Sequence, residues 1–140
     1  MVSMVRDLMT PDPVTLPAST ALSDAARYMR DNEIGDVIVV TDHGKVCGVV
    51  TDRDIVVRAV AKGQHPDSTE LASVCSRTVI SLSPSDSTDE AVRLMREHAI
   101  RRVPIIEDGT AVGIISLGDL ALERDPGSAL ADISGAAGNP

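Results

Sequence analysis

Two four-residue segments of this 140-residue chain place a hydroxyl three residues ahead of a carboxylate: Thr51-Asp52-Arg53-Asp54 and Ser116-Leu117-Gly118-Asp119. An aliphatic run precedes each, so both sit where a strand turns into a helix. A helix N-terminus carries unpaired N–H groups and a partial positive charge, which together attract phosphate. The hydroxyl can donate to a phosphate oxygen, and a carboxylate one turn in can accept from both hydroxyls of a ribose. The same residues also describe an ordinary capped helix, with Thr51 or Ser116 as N-cap and the acid favoured in the first turn. Both readings stand at this level.

Other chemistry finds no foothold. His43, His65 and His98 lie far apart, and none has an i,i+4 histidine or the carboxylate spacing of a metal site, so they are expected on the surface and no metal is expected. There is no Gly-x-Ser-x-Gly, P-loop or Rossmann fingerprint. Cys47 and Cys75 are too few for a disulfide framework or a zinc site, and are expected as reduced, partly buried thiols. An enzyme is not expected.

The elements that position the two hydroxyl–carboxylate segments come from an internal repeat. Leu16 to Val46 aligns with Leu82 to Val112 at a constant shift: Ser19 meets Ser85, Ala25 meets Ala91, Met29-Arg30 meets Met95-Arg96, Val37 meets Val103. After a one-residue deletion, Gly48 meets Gly113 and Asp54 meets Asp119. A lead-in, Asp7-Leu8-Met9-Thr10, matches Ser73-Val74-Cys75-Ser76. Each copy opens with a short strand, Val14-Thr15-Leu16 or Ile80-Ser81-Leu82. A helix follows, with Leu22, Ala25, Ala26 and Met29 facing the core in one copy and Ala91, Leu94, Met95 and Ala99 in the other; Ser87 with Glu90 predicts a capping box. Two apolar runs joined through Asp42-His43-Gly44-Lys45, or through Asp108-Gly109, predict a hairpin. A second helix starts at Thr51 and runs through Ile55, Val56 and Ala59 to Lys62-Gly63, or starts at Ser116. The fold class is α/β (α+β), two β-α-β-β-α repeats at 4–62 and 69–125 with a linker at 63–68. Gly48 and Gly113 are expected where packing is close.

The copies differ at one telling place. Arg101-Arg102 precede the second copy's first hairpin strand, and guanidinium forks suit an anion; a solvated pair at a strand end is the plain alternative. Gly35-Asp36 stand there in the first copy, and an acid opposes phosphate unless an arginine from elsewhere compensates. Arg53 lies inside the first segment and offers partial compensation. Unequal sites are expected.

The lead-in Asp-Leu-Met-Thr, the Met-Arg helix and Gly-Val-Val-Thr-Asp-Arg-Asp, in an order that the second copy repeats, resemble the CBS-domain family, here as a tandem pair or Bateman module covering residues 4 to 125. The resemblance implies two repeats packed with pseudo-twofold symmetry, an adenosine-containing ligand (AMP, ADP, ATP, S-adenosylmethionine or cyclic di-AMP) and association into a homodimer. It gives Thr51 and Ser116 a phosphate or ribose role, and Asp54 and Asp119 a ribose role. Val14, Thr15 and Val37 would line one adenine slot and Ile80, Ser81 and Val103 the other, unless these aliphatics are core. AMP or ADP is the first expectation, ATP or S-adenosylmethionine the second, as a regulatory ligand, with no required cofactor. Output would pass to an effector protein in trans as a signal of energy or stress state. The alternative is a ligand-independent, stress-associated scaffold or interaction module.

Composition agrees with a folded domain: 43% hydrophobic and 24% charged residues. A net charge of -8 and a single aromatic, Tyr28, argue against nucleic acid as a partner, by repulsion and by lack of a stacking platform. No apolar run spans a membrane, and Met1 to Thr10 lacks the core of a secretory signal, so a cytoplasmic location is expected. Helix faces left over from two short sheets suggest a homodimer. The Gly- and Ala-rich tail at 126–140 is expected to fray, with Leu130 and Ile133 available to a partner chain.

Overall fold

The computed structural model describes residues 3–76 and 79–124, so the tail and its Leu130 and Ile133 lie outside the described residues. In chain order the elements are α1 (Val5–Leu8), β1 (Thr10–Pro11), β2 (Thr15–Pro17), α2 (Leu22–Asn32), β3 (Asp36–Val40), β4 (Val46–Thr51), α3 (Asp52–Arg58), α4 (Thr88–His98), β5 (Arg102–Glu107), β6 (Thr110–Ser116) and α5 (Leu117–Arg124), with single 3-10 turns at Val60–Lys62 and Leu71–Ser73. No helix among the described residues is long and apolar enough to cross a membrane.

Two compact units form, and they cut across the sequence repeats. A central unit takes 14–79; a split unit joins the N-terminal segment, through Pro13, to the chain from Ile80 onward. The reason lies in the lead-ins. β1 does not pair within its own repeat but lies antiparallel to β6, Thr10 opposite Ile114. The second lead-in does the same in the central unit, where Ser76 and Val49 exchange both backbone bonds at 3.1 and 3.2 Å. Gly48 and Gly113 make these approaches possible. A Cβ at Gly48 would stand 2.8 Å from the Ser76 carbonyl oxygen and 2.9 Å from Cys75 Sγ; one at Gly113 would overlap Met9 Sδ. Cys75 therefore meets β4 on the face of Gly48, whereas strand alternation turns Cys47 to the other face. Both cysteines are free thiols.

The central sheet runs β2-β3-β4, with β2 parallel and β4 antiparallel to β3. Leu22, Ala25 and Met29 of α2 seal one core with Val37, Val39 and Val50. The split sheet runs β1-β6-β5, and Val103, Ile105 and Ile115 close a second core against Ala91 and Met95 of α4. The Asp108-Gly109 hairpin turn has both residues at positive φ, 53° and 78°, as a tight two-residue turn requires.

Four local expectations need correction. The strand foreseen at Ile80-Ser81-Leu82 shrinks to one parallel bridge between Leu82 and Ile105. In the first copy Ile38 donates to Val14 and Ala18 donates to Val40. Their equivalents are Pro104 and Pro84, which have no N–H to give. Ala26 is exposed, at the margin of the α2 stripe, and Ala99 is an exposed C-cap with φ 52°, beyond the buried face of α4. The Ser87 capping box is half made: Ser87 Oγ accepts from Glu90 N at 3.1 Å, but the Glu90 carboxylate turns to Arg93 at 2.6 and 2.9 Å. That bond holds Glu90 below its usual titration range. Finally, α3 ends at Arg58 and only a 3-10 turn continues to Lys62, before Gly63 reverses the chain at φ 73°. Val56, Val57 and Val60, all β-branched, are poor propagators of a helix. Residues 64–68 fold back on the start of α2, with Pro66 accepting from Ser23 N at 3.1 Å.

Candidate functional site

Both hydroxyl–carboxylate segments are built alike. At the head of α3, Thr51 Oγ1 accepts from Asp54 N at 3.1 Å and Asp54 Oδ2 accepts from Thr51 N at 2.9 Å. At the head of α5, Ser116 Oγ accepts from Asp119 N at 3.1 Å and Asp119 Oδ2 accepts from Ser116 N at 2.9 Å. These are reciprocal capping boxes, so the capped-helix reading is made in full. It does not exclude the other reading, because each box uses one carboxylate oxygen. Oδ1 of Asp119 is left over among the described residues, while Oδ1 of Asp54 has Arg58 Nε at 3.6 Å.

The sheets decide what faces each helix head. Arg102 pairs across the split sheet with Ser116, and Leu117 N donates to the Arg101 carbonyl at 2.8 Å. The strand start and the helix start are thereby clamped together, and the two arginines stand beside the capping box. Arg101, Arg102, Ser116 and Asp119 line one open cleft of about 420 Å³, with Leu117, Gly118 and Leu122 as its remaining walls. Both arginines are exposed, and Ser116 and Asp119 are half-buried. The cleft thus offers two cationic forks, one hydroxyl and one carboxylate oxygen beside an apolar pair, a set that can hold an anionic group and a polar sugar edge.

The central unit repeats the backbone with other side chains. Asp36 pairs with Thr51, and Asp52 N donates to the Gly35 carbonyl at 2.9 Å. Asp36, Asp52 and Asp54 gather there, with Arg53 exposed beside them. None of the residues expected to line adenine slots is among those that line this cleft. Val37 and Val103 are sealed in the two cores, at 2% and 0% exposure. Val14 packs at the edge of the central core and Thr15 is exposed on β2; Ile80 is half-buried and Ser81 exposed. Leu117, Gly118 and Leu122 were not foreseen as cleft walls. The signal was present, since Leu117-Gly118 lie between Ser116 and Asp119. Among the described residues, no group of three or more His, Cys, Asp or Glu side chains is placed to hold a metal ion.

Comparison with known proteins agrees with this architecture. The family profile described as CBS domain matches twice, at residues 5–60 and 71–124. The CBS domain-containing protein YhcV of Bacillus subtilis is 38% identical over 136 residues, covering 94% of this chain and 96% of that protein. Hypoxic response protein 1 of Mycobacterium tuberculosis is 32% identical over 83% of this chain and 81% of its own. A crystal structure of Hypoxic Response Protein I with two coordinated zinc ions superposes with a TM-score of 0.79 at 30% identity, over 86% of this chain and 98% of that one. A CBS-domain protein from Agrobacterium tumefaciens gives 0.77 at 31% identity, over 89% and 95%.

Proposed function

Because the chain belongs to the CBS-domain family, as a tandem pair of a regulatory kind, we propose that it binds an adenosine nucleotide and passes that binding state to a partner protein in trans. The convergence of Arg101, Arg102, Ser116 and Asp119 on one cleft carries this reading. Arginine forks take the phosphate, Ser116 donates a further hydrogen bond, and Asp119 Oδ1 accepts from the ribose. The chain's net charge of -8 disfavours the most highly charged ligands. AMP or ADP therefore comes before ATP, and S-adenosylmethionine follows as a ligand without phosphate. Exposed Val56, Val57 and Val60 in one unit, and Leu117 and Leu122 in the other, favour a homodimer.

A second reading is a ligand-independent scaffold, favoured by the fact that both carboxylates already serve as caps. Calorimetric titration with AMP, ADP, ATP, S-adenosylmethionine and cyclic di-AMP separates the two. Saturable binding of one nucleotide supports the sensor; a folded, nucleotide-free protein silent to all five supports the scaffold.

A further inference from the structure

Resting on the nucleotide reading above, we propose that each chain holds a single phosphorylated nucleoside, in the Arg101–Arg102 cleft of the split unit. The matching corner of the central unit is closed to phosphate by its own carboxylates, Asp52 first.

The two corners share a backbone and differ in side chains, which makes the comparison direct. Arg102 and Asp36 hold the same register position, opposite Ser116 and Thr51. Arg101 and Gly35 hold the same place before them, each accepting from the first amide of its helix. At the next helical amide the units part. Arg53 N donates to Asp52 Oδ1 at 2.8 Å, so an internal carboxylate already occupies this N–H of α3. The other oxygen of Asp52 would lie 3.2 Å from a Cβ at Gly35, so the group hangs over the glycine, in the corner where Arg101 stands in the other unit. There Leu117 replaces Asp52 and Gly118 replaces Arg53. Leu117 offers the Gly118 amide no carboxylate, and Gly118 lines the cleft.

Charge points the same way. Asp36, Asp52 and Asp54 outnumber Arg53 and Arg58 in the central corner, and Arg58 is turned to Asp54 at 3.6 Å and to the Val74 carbonyl at 3.3 Å. In the split unit Arg101 and Arg102 stand against Asp119 and Glu123, the latter at the place that Arg58 holds in the central unit. A phosphate meets a net negative corner in one unit and, in the other, a balanced one whose cleft is lined by two arginines and one carboxylate. A carboxylate that accepts a helix N–H also supplies the anion that the helix start attracts. The central corner is thus self-satisfied.

The test is the stoichiometry and charge dependence of AMP and ADP binding to the full chain by calorimetry. The expected result is one equivalent per chain. Arg102→Asp, at an exposed position, should weaken binding by about tenfold or more, the worth of at least one charge-assisted bond. The double variant Asp36→Arg with Asp52→Leu carries the split unit's residues to two of the four differing positions, removes two of the three carboxylates and should raise the stoichiometry to two. Two equivalents in the unaltered protein, AMP affinity indifferent to Arg102→Asp, or a double variant that stays at one would overturn the proposal while nucleotide binding by the chain itself still stood. Silence of the unaltered protein toward every nucleotide would instead remove the reading on which it rests.

Discussion

Asp119 is asked to do two things, to cap α5 and to meet a ligand, and the two can be pulled apart. Asp119→Ala removes both Oδ2, which accepts from Ser116 N at 2.9 Å, and the unused Oδ1. Loss of such a cap costs about 0.5–2 kcal/mol of stability. Loss of a charge-assisted hydrogen bond to the ligand costs about 1.5–3 kcal/mol, a weakening of Kd of roughly 10- to 150-fold. Asp119→Asn sharpens the distinction. Its amide oxygen can still accept from Ser116 N, so most of the stability should survive, but an NH2 then replaces the acceptor offered to the ribose. Affinity should fall nearly as far as in the alanine variant. Ser87→Ala serves as the stability control: it removes a cap of similar geometry from α4, at 3.1 Å, and lies outside the cleft. It should lower the denaturation midpoint and leave Kd unchanged. Urea denaturation and nucleotide titration on the three variants give both readouts. The reasoning fails if Asp119→Asn binds AMP or ADP as tightly as the unaltered protein, because Asp119 would then be a cap and nothing more.

Four further outcomes are expected. Gly48→Ala should destabilise by about 1–3 kcal/mol in chemical denaturation, as expected for overpacking, because the Cβ would meet the Ser76 carbonyl at 2.8 Å. Gly113→Ala should cost less, since its first obstacle is the flexible end of Met9, although the Thr10 carbonyl at 3.0 Å keeps the change from being free. Val56→Glu with Val60→Glu, at positions each 57% exposed, should leave the chain folded by circular dichroism but monomeric by light scattering if that face joins two chains. Glu90→Gln should flatten part of the acid limb of the Tm–pH profile. The Arg93 hydrogen bond holds Glu90 below its ordinary value of 4.5, so its contribution is present above that value and is lost as pH falls through the lowered one. An unchanged acid limb would contradict this.

Much of the fold was legible because a repeat doubles every signal. The α2 and α4 stripes, the two hairpins and the position of each hydroxyl–carboxylate segment came from periodicity, turn residues and alignment of the copies. Failures occurred where one residue's chemistry broke the symmetry. Pro84 and Pro104 were visible, yet their cost appears only when the donors they replace, Ala18 and Ile38, are known to be paired. Ala26 and Ala99 fit the apolar pattern, but alanine reports burial weakly. The exchange of lead-ins could not be read at all, since Thr10 and Ser76 carry no mark of which hairpin they will join; the glycines at 48 and 113 record only that something approaches. At the site, Arg101, Arg102, Ser116 and Asp119 were foreseen and line one cleft. Sequence could not say which corner the arginines would serve, because that depends on β5 starting opposite the end of β6. Val37 and Val103 could not be divided between core and slot by type alone, and burial puts their side chains in the cores.

Whether the cleft beside Ser116 is a nucleotide site is decided by titration of the purified, nucleotide-free chain with AMP and ADP, next to Arg102→Asp. The expected result for a nucleotide site there is saturable binding of one equivalent, weakened by about tenfold or more in the variant. Binding that ignores the arginine, or no binding by a folded protein, would contradict it.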